Sequence, residues 1–96
     1  YHVPTDGRGV AFMRVAPNPV RPQDPEEVVF ADVTQQTRVR IYDLEGQLVR
    51  DLGGAADGGL RWNLRNSSGG RVASGTYVFV ARDGTGVRQG RVVVAR

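Results

Sequence analysis

Ninety-six residues are enough for one hydrophobic core and too few for two, so the chain reads as a single domain. Thirteen basic residues against ten acidic ones leave a charge of +3, and every basic residue is an arginine interleaved with acids, which argues against a nucleic-acid-binding stripe. Cysteine is absent, which rules out a disulfide framework or a thiolate-bound metal, and no apolar run approaches the ~18 residues of a membrane-spanning helix.

Residues 1–9 are polar and glycine-rich and read as a linker or flexible arm, with the sandwich domain expected over 10–96. The arm carries neither a basic stretch nor an apolar core of the signal-peptide kind, so the chain is expected to be a mature piece or the C-terminal module of a larger protein. Val10–Ala16 predicts a first strand, stopped by Pro17, Asn18 and Pro19, since two prolines around an asparagine end a ladder and force a turn. Glu27–Val33 predicts a second strand, with Val28 and Phe30 on one face and Val29, Ala31 and Val33 on the other.

Thr37–Tyr42 alternates cleanly, Val39 and Ile41 inward, Arg38 and Arg40 outward. Asp43 to Gly46 is the turn of a hairpin: Gly46 can take a positive φ and Asp43 can bond its own backbone. Gln47–Leu52 returns as the partner strand, and residues 53–59 form a glycine-rich crossover. Leu60, Trp62 and Leu64 then alternate with Arg61, Asn63 and Arg65, which marks Trp62 as a core residue rather than a sugar-stacking platform. After a turn at residues 66–70, Gly75 leads into a strand over Thr76–Arg82. Tyr77 sits near its start as an anchor whose hydroxyl finds a nearby backbone partner. Residues 83–86 turn the chain into a last strand, Val87–Ala95. Seven strands at this spacing, with no helical periodicity, predict an all-β fold: a seven-stranded antiparallel immunoglobulin-like β-sandwich.

Little in this pattern can do chemistry. His2, the one histidine, lies in the arm and is not held against a nucleophile, so Ser67, Ser68 and Ser74 read as turn serines and no catalytic residue is expected. Asp43 and Glu45 ahead of Gly46 share the carboxylate–glycine pattern of a calcium loop, and Asp57 or Asp83 offers a further carboxylate. The later acidic ligands of such loops are missing, and a hairpin turn asks for the same residues. Gly84, Gly86 and Gly90 lie between two strands, so no helix N-terminus is available for a dinucleotide phosphate. No cofactor and no metal is therefore expected. Arg38, Arg40, Arg61 and Arg65 are expected to share an outward face, either open to an anionic partner or paired with Glu26, Glu27, Asp32 and Asp51.

Taken in order, Pro17-Asn18-Pro19, the hairpin from Val39 to Val49, Trp62, the run from Gly69 to Tyr77 and the valine-rich strand from Gly90 to Val94 resemble the FlgD-type immunoglobulin-like domain. That domain is closely similar to the type A C-terminal sorting domains of the type IX secretion system, and the resemblance covers about residues 12–96. It implies a non-enzymatic sorting or anchoring module of a secreted or cell-surface bacterial protein. The recognition strand would be Gly90, Arg91, Val92, Val93, Val94, Ala95 and Arg96, presented to secretion or anchoring machinery at the outer membrane. Structural anchors would be Pro17, Asn18, Pro19, Tyr42, Gly46, Trp62, Gly75 and Tyr77. Two alternatives stand beside it. One is a self-assembling subunit of a filament or hook-cap scaffold, joined by edge-strand contacts and by an arm at Tyr1 to Arg8. The other is a glycan-binding module using Tyr42.

Overall fold

A computed structural model describes residues 13–54 and 59–95. Seven strands run through them in chain order: β1 (Arg14–Ala16), β2 (Val28–Ala31), β3 (Arg38–Tyr42), β4 (Leu48–Leu52), β5 (Gly59–Trp62), β6 (Gly75–Arg82) and β7 (Val87–Val94). They form two antiparallel sheets, one ordered β1-β2-β5 and the other β4-β3-β6-β7. This is an immunoglobulin-like β-sandwich, and no helix occurs among the described residues.

Period-two alternation builds the core. From the three-stranded sheet Val28, Phe30, Leu60 and Trp62 point inward; from the four-stranded sheet come Val39, Ile41, Tyr77, Phe79, Ala81, Val92 and Val94, all buried. Two aromatic pairs cross between the sheets. Phe30 meets Phe79 edge-on with centroids 5.4 Å apart, and Trp62 meets Tyr77 at 5.6 Å. Edge-to-face geometry sets the positive rim of one ring against the negative face of the other. The polar ends of the second pair are satisfied locally: Trp62 Nε1–H donates to the Arg65 carbonyl (2.9 Å) and the Tyr77 hydroxyl to that of Ala73 (2.6 Å).

Two turns are built identically from different residues. Asp43 Oδ1 accepts the N–H groups of Glu45 and Gln47, and Asn66 Oδ1 accepts those of Ser68 and Gly70. In each loop the fourth residue is a glycine at positive φ, Gly46 at 87° and Gly69 at 88°, where a side chain would be strained. Asp83 caps the tighter β6–β7 hairpin, its Oδ1 accepting the N–H groups of Thr85 and Gly86.

Several sequence expectations shift. The first strand begins at Arg14 among the described residues, Met13 being buried just before it; residues 10–12 lie outside them. Val33 is in the core rather than on the face of Val29 and Ala31, because Asp32 at φ 66° breaks the alternation after β2. Leu64 is buried as its spacing predicts, but β5 stops at Trp62 and Leu64 reaches the core with φ at 60°. The arm at residues 1–9, with His2, and the crossover Asp57 also fall outside the described residues.

Candidate functional site

β7 is an edge strand, paired with β6 on one side along its whole length. Of the seven residues expected to form the recognition strand, Val92 and Val94 are core, and Arg96 lies outside the described residues. Gly90 faces inward opposite Phe79. What the strand offers outward is Arg91, Val93, which is 37% exposed, and Ala95.

The free edge of β7 is closed by the segment that follows β1. Asn18 behaves as an extra strand residue: its Nδ2 donates to the Arg91 carbonyl (2.8 Å) and its Oδ1 accepts the Val93 N–H (3.0 Å). Val20, fully buried, continues the match, its N–H donating to Val93 and its carbonyl accepting from Ala95. Pro17 and Pro19 flank the asparagine and have no N–H to donate, so among the described residues of this segment Asn18 and Val20 read the edge. Farther up the strand the Arg88 guanidinium donates to the Met13 carbonyl. An unpaired edge invites pairing with another chain, and here residues 18–20 cover it from Arg91 to Ala95.

The outer face of the same sheet carries the exposed charge. Its cross-strand rows are Asp51–Arg40–Val80–Gln89, Arg38–Arg82–Val87 and Leu48–Tyr42–Val78–Arg91. Tyr42 therefore stands half-buried on this outer face, between Leu48 and Val78, rather than between the sheets. Asp51 holds Arg38 through two bonds (2.9 and 3.2 Å) and approaches Arg40 Nε at 3.6 Å. The four arginines expected on one face are divided: Arg38 and Arg40 lie on this sheet, whereas Arg61 projects from β5 of the other sheet toward Glu27, and Arg65 turns back to the Gly69 carbonyl. Of the acids expected to pair with these four arginines, Asp51 and Glu27 do so, whereas Glu26 meets Arg71 and Asp32 meets Arg14 instead.

The turn serine Ser67 donates its hydroxyl to the Val49 carbonyl (3.2 Å) and its N–H to the same oxygen, tying the Asn66 loop to β4. Among the described residues, no group of three or more histidine, aspartate or glutamate side chains is placed to hold a metal ion. No helix there is long and apolar enough to cross a membrane.

No protein-family model matches the sequence, and no curated protein matches it. Solved structures do. The chain superposes on PorZ, an essential bacterial surface component of the type IX secretion system of Porphyromonas gingivalis, with a TM-score of 0.76 and 32% identity over 90% of its length. This is an immunoglobulin-like fold that type IX secretion components carry. A second match is to dimeric latent PorU of Porphyromonas gingivalis, with a TM-score of 0.60 over 88% of the chain; at 24% identity it speaks for the fold alone. The chain spans 12% of the PorZ chain and 9% of the PorU chain.

Proposed function

We propose that this domain is a non-catalytic sorting or anchoring module of a secreted or cell-surface bacterial protein, working with type IX secretion machinery. The observation that carries the reading is the 32% identity with part of PorZ across 90% of the chain. The geometry supports a role exercised through surface rather than chemistry. The described part of the strand named by the family resemblance, Gly90 to Ala95, lies at a sheet edge and turns Arg91, Val93 and Ala95 outward.

Truncation would test folding as much as sorting, because removing residues 91–96 also removes Val92 and Val94 from the core. The better experiment appends the whole domain to a reporter with a periplasmic leader in a type IX-competent bacterium. The reporter is expected at the cell surface, and in the periplasm when the translocon gene is deleted. A fused reporter that stays periplasmic in the competent strain overturns the reading. Replacing Arg91 with Glu and Val93 with Thr in the fusion then asks whether the outward side of β7 is the determinant. The chain's own cover on β7 from Arg91 to Ala95 disfavours self-assembly through that stretch of edge.

A further inference from the structure

Arg38 and Arg82 stand directly opposite each other across the β3–β6 ladder, on the outer face of the four-stranded sheet. Like charges at such a position repel, with Cβ atoms only about 5 Å apart. Asp51 relieves one side of this arrangement: it arrives from β4, opposite Arg40, and its two oxygens engage Arg38 and approach Arg40. Arg82 has no acidic partner among the described residues, and its neighbour on β7 is Val87, 61% exposed. Arg91 adds another guanidinium on the same face, so four arginines share it with one carboxylate.

Between these groups lies a pocket of about 90 Å³ lined by Arg38, Arg40, Tyr42, Val80 and Arg82. Small-molecule sites are usually ~300 Å³ or more, so this one suits a single small anionic group rather than a ring. Tyr42 and Val80 give it an apolar wall between charged rims. Arginine and aromatic side chains beside exposed apolar residues, here Leu48, Val87 and Val93, are the composition of protein-contact surfaces.

We propose that this face docks an acidic polypeptide segment, one carboxylate of which seats between Arg82 and Arg40 against Val80 and Tyr42. Asp51 is the precedent for the chemistry: a carboxylate from a neighbouring strand already bridges two guanidinia of the same face. The spacing favours an extended segment, since outward positions on a strand recur every second residue, as Arg38 and Arg40 do along β3. The inference stands apart from the sorting role, because the isolated chain is what binds.

The test titrates the complete chain at low salt with a short synthetic peptide carrying aspartate at alternate positions, followed by amide chemical shifts. The parallel titrants are the asparagine version of the peptide, inorganic phosphate, and vesicles of anionic phospholipid. Shifts are expected at Val80 and Arg82 with the aspartate peptide, and about tenfold weaker binding in Arg82→Gln, the scale of one charge-assisted hydrogen bond. Asp51→Asn, which frees Arg38 and Arg40, is expected to tighten binding several-fold, and Arg61→Gln on the opposite sheet to leave it unchanged. Equal binding by Arg82→Gln, equal binding of the asparagine peptide, or a response confined to phosphate or vesicles overturns the proposal.

Discussion

The ring of Phe79 covers the inner face of Gly90: a methyl group built on Gly90 would sit 2.5 Å from Cζ and 2.6 Å from Cε2 of that ring. The two residues are cross-strand partners on β6 and β7, and Phe79 is itself held edge-on by Phe30 from the facing sheet. The ring therefore has little room to yield. Gly90→Ala is expected to lose about 1–3 kcal/mol, the usual range for overpacking a filled core, read as a lower urea midpoint at unchanged slope. Phe79→Leu in the same chain should recover part of that loss. A stability for Gly90→Ala equal to wild type would mean that the ring swings aside freely.

The glycine could be seen in the sequence only as a strand glycine, because nothing along β7 says which ring lies opposite. The same limit recurs. Alternation along single strands located Val39, Ile41 and Trp62 in the core, since a one-face core imposes period two. It misplaced Val33 and ended β5 too late, since Asp32 and Leu64 adopt positive φ, a break that period-two alternation does not register. The pairing of Arg38 with Arg82 across β3 and β6, and of Asn18 with β7, depends on residues 44 and 75 or so positions apart. Those contacts are fixed by topology, and no local pattern encodes them.

Asn18 supplies both a donor and an acceptor to the edge of β7, so its loss should loosen that edge. Asn18→Ala is expected to remove about 1–2 kcal/mol, from two exposed hydrogen bonds each worth roughly 1 kcal/mol or less. Hydrogen exchange gives the sharper reading, because the Val93 amide loses its acceptor while Val20 still pairs beside it. Val93 exchange should accelerate well beyond that of Val92, whose carbonyl and N–H face β6. Uniform acceleration along β7 would count against a local clamp.

Trp62 and Tyr77 each hold a loop as well as each other. Tyr77→Phe keeps the edge-to-face contact and leaves the Ala73 carbonyl without its hydroxyl donor, an expected loss of about 1 kcal/mol. Trp62→Phe removes the bond to Arg65 and opens space in a fully buried site, so about 2–4 kcal/mol is expected. A double-mutant cycle of Trp62→Leu and Tyr77→Leu, followed by thermal unfolding, should show coupling of about 0.5–1.5 kcal/mol from the ring pair. Strict additivity would assign the stability to separate burial of each ring.

The twin turns decide what Asp43 is for. Asn66 makes the same two backbone bonds in the same loop geometry without a charge, so the carboxylate of Asp43 is replaceable by an amide if its task is the turn. Asp43→Asn is expected to stay within ~0.5 kcal/mol of wild type, as surface substitutions that preserve local bonding do. Asp43→Ala, which strands the Glu45 and Gln47 N–H groups without their acceptor, should lose about 1–2 kcal/mol, as when a capping oxygen is removed. Both comparisons are made with calcium and with chelator. A calcium-dependent loss in Asp43→Asn would instead give the carboxylate a cation to hold. Equal stability of the asparagine variant in both conditions leaves Asp43 as the hairpin's own hydrogen-bond acceptor.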